Sequence, residues 1–134
     1  MKAVFDHEKL DVYQEAISFV TWAGEQLKGI PKSLAAHNQP DRASTSIPLN
    51  IAEGNGKYTA ADRCRFFDIA RGSSLEAAAC LDVRVARKQL ARIETGKNML
   101  VRIVSMLVGL IRTTSPSRVH EAAGEYSTSE SDRD

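Results

Sequence analysis

Apolar residues recur every three to four positions along most of this chain, the spacing that gathers side chains on one face of an α-helix. The pattern predicts four helices. An aromatic content of 6% and only eight glycines favour aliphatic helix packing over a sheet. We therefore predict an all-α fold, with residues 1–113 forming a four-helix bundle and residues 114–134 a mobile acidic, serine-rich tail.

The first two helices are delimited by start and stop signals. The first is predicted over residues 8–28, capped by Asp6 or His7 and ended by Lys-Gly-Ile-Pro at 28–31. The second begins at Asp41 or Ser44 and ends at residues 54–56, Gly-Asn-Gly, where left-handed conformations cost little. The predicted apolar stripe of the first helix comprises Leu10, Tyr13, Ile17, Val20, Ala23 or Gly24, and Leu27.

Pro48 lies inside the second predicted helix. Proline has no backbone N–H and its ring collides with the carbonyl four residues earlier, so we expect the helix to bend there. Polar side chains nearby would then satisfy one another and the interrupted backbone. The predicted helix-bend network comprises Pro48, Asn50, Glu53, Arg71 and Glu76. The polar members also combine carboxylates, an amide and a guanidinium, but a structural role is favoured over a catalytic one.

The third helix is predicted to be the longest. It starts at Thr59 as N-cap, with Asp62 three residues on, and continues to about Leu90. Gly72 lies midway, and we expect a neighbouring helix to approach closely there. The fourth helix starts between residues 91 and 98, with Thr95 or Asn98 as cap.

The fourth helix is apolar on two sides between residues 99 and 111. One face comprises Leu100, Ile103, Val104, Leu107, Leu110 and Ile111, and the second comprises Met99, Val101, Met106 and Val108. A monomeric four-helix bundle would cover one of them, so we predict that the second face is buried against other copies of the chain. The alternative is that some of these residues are singly exposed apolar side chains.

The net charge of +1 conceals an uneven distribution. Residues 121–134 carry five acids and one arginine, whereas basic residues dominate positions 84–118. The candidate nucleic-acid-binding residues, grouped by helical spacing, are Arg84, Arg87, Lys88 and Arg92. No Phe, Tyr or Trp occurs between Phe67 and Tyr126, so base stacking has no platform beside them. The alternative is a solvated basic face, or one neutralised by the acidic tail.

Several classes of function lack their sequence signatures. The histidines His7, His37 and His120 have no glutamate at the spacing of a di-metal site, so no metal or cofactor is predicted. No phosphate-binding glycine loop or nucleophile elbow occurs, and we predict a protein that is not an enzyme. Cys64 and Cys80 are too far apart along one helix to form a disulfide. Without an apolar N-terminal segment or a membrane-length apolar run, a cytoplasmic location is expected.

Three segments carry a resemblance to a known family: residues 9–14 (KLDVYQ), 46–54 (SIPLNIAEG) and 66–76 (FFDIARGSSLE). They resemble the four-helix-bundle proteins encoded by intervening sequences of bacterial 23S ribosomal RNA genes, often labelled ribosomal-protein-like. The same family includes the accessory variability protein of diversity-generating retroelements, a homopentamer that works with a reverse transcriptase and its RNA. The resemblance implies an up-down-up-down bundle, assembly into a ring of five, and a role with nucleic acid or a ribonucleoprotein.

Two functions are therefore expected. The first is a non-catalytic oligomeric bundle that binds RNA, DNA or a ribonucleoprotein through its basic face. The second is a protein–protein adaptor that does not contact nucleic acid directly.

Overall fold

The computed structural model describes residues 4–29 and 38–115, with only the backbone of residues 38–41. Within these ranges the chain forms four α-helices and no strand, which confirms the predicted class. They are α1 (Asp11–Leu27), α2 (Asn38–Asn55), α3 (Ala60–Ala86) and α4 (Glu94–Thr114). With 27 residues, α3 is the longest of them, as predicted. Residues 116–134, nearly all of the predicted tail, lie outside the described part.

Each helix runs antiparallel to the next, and α4 closes the bundle against α1. Polar contacts between helices include Ser46–Ser73 between α2 and α3 at 2.8 Å, Lys97–Asp82 between α4 and α3 at 2.6 Å, and Arg102–Glu15 between α4 and α1 at 2.7 Å. The Lys97–Asp82 pair joins the early part of α4 to the late part of α3. The Arg102–Glu15 pair joins the middle of α4 to the early part of α1. The order is the up-down-up-down arrangement expected of the resembling family.

The core is built from one stripe of each helix. On α4 the stripe consists of Leu100, Ile103, Leu107 and Ile111, all from the face predicted to be buried. Leu100, Ile103 and Leu107 are at most 2% exposed, and burying each stabilises the fold by about 1.5–3 kcal/mol. On α3 the buried positions are Cys64, Phe67, Ala70, Ser74, Ala77, Leu81 and Arg84.

The start and the buried face of α1 differ from the prediction. A 3₁₀ turn over Asp6–Lys9 precedes the helix, which starts at Asp11 rather than at residue 8. The carboxylate of Glu8 accepts hydrogen bonds from the backbone N–H groups of Val4 and Phe5, at 2.6 and 3.3 Å, which closes this turn. The buried residues of α1 are Val12, Ala16 and Phe19, whereas Ile17 from the predicted stripe is 39% exposed.

The other helix ends agree more closely with the sequence signals. The Thr59 hydroxyl accepts the Asp62 N–H at 3.1 Å, which confirms the predicted N-cap of α3. The helix α2 ends at Asn55, inside the predicted Gly-Asn-Gly stop. The helix α4 begins at Glu94, inside the predicted range of residues 91–98, but its N-cap is Ile93 rather than Thr95 or Asn98. Ile93 packs against the core, so an apolar anchor marks this start.

Close helix approach occurs at two glycines other than the predicted one. A Cβ at Gly96 would collide with the Trp22 ring, and one at Gly54 would lie 2.9 Å from Cε1 of Phe67. A Cβ at Gly72 would meet no atom within 4 Å, so the expected close approach at Gly72 is wrong within the subunit.

Candidate nucleic-acid interface

The predicted basic cluster lies at the end of the bundle where α3 turns into α4, which we call the α3–α4 end. Arg87 is the C-cap of α3 and its N–H donates to the Val83 carbonyl at 2.9 Å. Lys88 follows with a left-handed φ of 59°, the conformation in which helices commonly terminate. This turn directs the chain away from α3 and leaves Arg87, Lys88 and Arg92 exposed.

Arg84 does not share that surface. It is 1% exposed and its Nη1 donates to Oε1 of Gln89 at 3.1 Å. Its backbone carbonyl accepts the Gln89 N–H at 2.8 Å, so both parts of Arg84 hold the turn after α3. Arg84 also lines a small apolar cavity with Phe19, Ala23, Gln26, Leu27, Ser44, Ala77, Leu81 and Leu90. The prediction that Arg84 forms part of an exposed basic cluster is therefore wrong.

Burial is also the main influence on the Arg84 side chain. Desolvation lowers the pKa of its guanidinium from the ordinary value, the Cys80 thiol acts in the opposite sense, and Arg87 reinforces the lowering. A signal for this burial was present in the sequence: Arg84 follows Leu81 by three residues and Ala77 by seven, so all three share one helix face.

The remaining cations form a compact and purely electrostatic surface. Arg87, Lys88 and Arg92 are exposed, with the exposed carboxylate of Glu94 close along the chain. Lys97 is engaged by Asp82 at 2.6 Å. Trp22, a half-buried aromatic side chain at this end, packs its ring against Gly96. This surface can attract phosphate groups through charge, and residues 84–97 carry no aromatic side chain for base stacking.

The residues assigned to the helix-bend network differ in their surroundings, and the network itself stays a prediction. The Asn50 amide donates to the carbonyl oxygen of Ser46 at 2.8 Å and lies 2.9 Å from its hydroxyl, which in turn meets Ser73. Glu53 is exposed and 3.9 Å from Lys57. Glu76 is exposed and Arg71 half-buried.

Pro48 itself is buried within a continuous α2, and the bend there stays a prediction. Asn50, Ser46 and Ser73 form a chain of polar contacts near it, because two hydroxyls and an amide meet where α2 crosses α3.

The four candidates for an oligomer interface on α4 differ in their surroundings. Met99 and Met106 pack against the core, and Val108 is half-buried. Val101 is 64% exposed. The neighbours α1 and α3 flank α4 on both sides, so a single subunit covers more of α4 than the sequence suggested.

Three further features concern other classes of site. Within residues 4–29 and 38–115, no group of three or more His, Cys, Asp and Glu side chains is placed to hold a metal ion. None of the helices described combines the length and the apolar character needed to cross a bilayer. Neither Cys64 nor Cys80 forms a disulfide within the part of the chain that the structure describes.

The fold and the contacts define an all-α, antiparallel four-helix bundle. The family model of the 23S rRNA-intervening sequence proteins matches residues 8–109, and the chain belongs to this family. A solved structure from Bacteroides thetaiotaomicron, a protein of unknown function from the S23 ribosomal protein family, has a similar fold with a TM-score of 0.70. It is 23% identical and the match covers 75% of this chain and 98% of that one. No match was found among curated proteins.

Proposed function

We propose that this protein is a non-catalytic, self-associating bundle that binds RNA, alone or within a ribonucleoprotein, through the α3–α4 end. The observation that carries the proposal is the exposure of Arg87, Lys88 and Arg92 on one ordered turn. Membership of a family named after 23S rRNA intervening sequences adds support for an RNA ligand.

The chemistry of the surface supports one mode of binding. Guanidinium and ammonium groups neutralise backbone phosphates and release the counterions condensed on them. Without an aromatic platform, bases are not read by stacking, so affinity should depend on the density and shape of phosphates more than on sequence. We expect structured RNA, which concentrates phosphates, to bind more tightly than a short flexible strand.

Salt dependence tests this mode directly. With three phosphate contacts, affinity should fall about 20- to 40-fold between roughly 50 and 200 mM salt. Filter binding or fluorescence anisotropy with a structured RNA measures this. Affinity that stays constant with salt would contradict a phosphate-based interface.

A pair of matched variants locates the interface. Replacing Arg87→Glu and Lys88→Glu together should abolish RNA binding at low salt, because both cations become repulsive. Lys9→Glu with Arg112→Glu makes the same change in charge at exposed positions near the opposite end and should leave most of the affinity. Circular dichroism checks that both variants fold. Equal losses of RNA affinity in the two variants would indicate that RNA binds at another surface.

A protein–protein adaptor is the second candidate. It is favoured by large apolar side chains left exposed on the subunit, including Leu49 at 63% and Val101 at 64%. A partner retained after nuclease treatment, together with no RNA binding at low salt, would select it. Self-association belongs to both candidates, and the ring of five stays an expectation from the family resemblance.

A further inference from the structure

The two ends of the bundle differ in their balance of charge. Where α4 finishes beside the start of α3, the acids of the described residues are Asp6, Glu8, Asp11, Glu53 and Asp62. The bases at this end are Lys9, Lys57, Arg63, Arg65 and Arg112, so the two signs balance. Residues 25–28 and 82–97, at the α3–α4 end, contain only the acids Glu25, Asp82 and Glu94. The bases in the same ranges are Lys28, Arg84, Arg87, Lys88, Arg92 and Lys97, so the α3–α4 end is positive.

Half of the bases at the α3–α4 end are already engaged within the subunit. Nζ of Lys28 lies 3.0 Å from a carboxylate oxygen of Glu25, and Nζ of Lys97 lies 2.6 Å from one of Asp82. Arg84 is buried. The exposed bases, which we call the basic turn, are Arg87, Lys88 and Arg92.

The same chain carries an acidic segment that could bind this turn. Residues 116–134 follow α4 and lie outside the described residues. Within them, the segment 125–134 contains Glu125, Glu130, Asp132 and Asp134 against the one base Arg133. Its charge is opposite to that of the basic turn, and carboxylates accept the same charge-assisted hydrogen bonds from a guanidinium as phosphates do.

The length of chain after α4 matches the distance to the basic turn. The 21 residues of α4 separate the two ends by about 30 Å at 1.5 Å per residue. Fully extended chain covers at most about 3.6 Å per residue, so Glu121, six residues beyond Ser115, reaches only about 22 Å. Glu125 reaches about 36 Å and the later acids reach further. The acidic segment can therefore contact the basic turn of its own subunit, and Glu121 cannot.

The cations closer to the end of α4 attract this segment less. Nη1 of Arg63 donates to the Asn55 carbonyl at 2.9 Å, and Lys57 and Arg65 lie 5.1 and 5.0 Å from the ring centre of Phe66. The five acids at the same end repel further carboxylates. Charge therefore favours the distant basic turn over the nearer surface.

We propose that the acidic segment binds the basic turn of its own subunit and competes there with RNA, an inference that rests on the proposed function. A short tether gives an effective concentration in the millimolar range, so weak contacts between exposed charges suffice to occupy the turn. RNA displaces the segment only when it offers a denser set of phosphates. The segment thereby selects against weakly charged ligands.

Carbodiimide cross-linking tests the contact without RNA. The reagent joins a carboxylate to a lysine amine in direct contact, and Lys88 is the one lysine of the basic turn. At low salt we expect Lys88 to be joined within one chain to Glu130, Asp132 or Asp134, and not to Glu121. The yield should fall at about 0.5 M salt and in Arg87→Gln with Arg92→Gln, because the attraction is electrostatic. Peptide mass spectrometry identifies the joined residues.

The chain supplies its own control for the reagent. Lys97 and Asp82 lie 2.6 Å apart, so they should be joined in every sample at low salt. The proposed contact would be overturned if this control appeared while the acidic segment was joined to no lysine. Segment cross-links found only at Lys9 or Lys57, or only between chains, would overturn it as well.

Neutralising the segment in the full chain tests the competition. Glu130→Gln, Asp132→Asn and Asp134→Asn together should raise RNA affinity about threefold at low salt, and the gain should shrink as salt rises. Asp11→Asn, Glu53→Gln and Glu121→Gln remove the same number of charges from positions that cannot reach the turn. This control should leave the affinity nearly unchanged, and fluorescence anisotropy with a structured RNA measures both. Equal gains in the two variants would indicate an effect of net charge alone and overturn the proposal.

Failure of the competition and failure of the proposed function give different results. Absence of RNA binding in both the wild type and the neutralised chain would contradict the proposed function, whatever the cross-links show. RNA binding that neutralisation does not strengthen would contradict the competition and leave the proposed function standing.

Discussion

The two ends of the bundle both carry clustered cations and use them in opposite ways. At the end where α2 turns into α3, Nη1 of Arg63 donates to the carbonyls of Asn55 and Lys57 at 2.9 and 3.4 Å. Lys57 and Arg65 lie 5.1 and 5.0 Å from the ring centre of Phe66. These cations close helix ends and cover a ring, which is a structural use.

At the α3–α4 end Arg84 and Lys97 are used in this way. Arg84 is buried and Lys97 is paired with Asp82, whereas Arg87, Lys88 and Arg92 project into solvent. The comparison teaches that the count of basic residues does not locate a phosphate surface. What matters is whether each cation already serves a carbonyl, a carboxylate or a ring within the subunit.

The largest change in stability should come from a substitution of the buried cation at the α3–α4 end, and it can be compared with a substitution of an exposed one. Arg84→Ala removes a buried side chain that packs on Leu81 and Leu90, and we expect a loss of about 3 kcal/mol in unfolding free energy. Arg87→Ala at an exposed position should stay within about 0.5 kcal/mol and weaken RNA binding several-fold. Urea unfolding and anisotropy measure the pair. The division of roles would be wrong if Arg87→Ala proved the more destabilising.

A smaller loss of stability is expected at the end where α2 turns into α3. Arg63→Ala deletes the donor that holds the last carbonyl of α2, at a cost of about 1.5 kcal/mol. RNA affinity should not change, because Arg63 is engaged within the subunit. Lys9→Ala removes an exposed cation and controls for charge in both thermal melts and binding. Loss of RNA affinity in Arg63→Ala alone would extend the phosphate surface to this end.

Substitution of Lys88 by glycine should stabilise the protein and weaken RNA binding. Its left-handed backbone suits glycine, so Lys88→Gly should stabilise the protein by about 0.5–1 kcal/mol. Lys88→Ala removes the same charge without relieving the backbone and should not be stabilising. Both variants should bind RNA more weakly to a similar extent. A Lys88→Gly protein no more stable than Lys88→Ala would argue against the strained turn.

The smallest effect is a pH dependence at the 3₁₀ turn. The hydrogen bond from Val4 N–H holds the pKa of the exposed Glu8 carboxyl below its ordinary value of 4.5. The contribution of Glu8 to stability is therefore present above that value and lost as the pH falls through the lowered one. Thermal melts of wild type and Glu8→Gln should differ at pH 6 and converge once the pH falls below the lowered pKa. A constant difference would contradict the capping role.

Helix number and several helix ends could be predicted because they depend on local chemistry. The Thr59 cap and the stop at Asn55 follow from hydroxyl and glycine positions alone, and the α4 stripe from a repeat of large aliphatic residues. The face of α1 was misjudged because the core selects the small Ala16 over Ile17. Residue size at a helix crossing depends on the partner, which one helix pattern does not contain.

The exposure of the candidate residues could be predicted only in part. Arg87, Lys88 and Arg92 are exposed, but Arg84 is separated from them by the burial stripe that it shares with Leu81. The glycine needed for close packing was assigned to Gly72 instead of Gly96, because only the folded bundle brings the Trp22 ring there.

Arg92 sits between two residues, Leu90 and Ile93, that both pack against the core. The turn is thus ordered before any ligand arrives, unlike arginine-rich segments that fold on binding. Calorimetry of RNA association should accordingly yield a small heat-capacity change, with little entropy lost by the polypeptide.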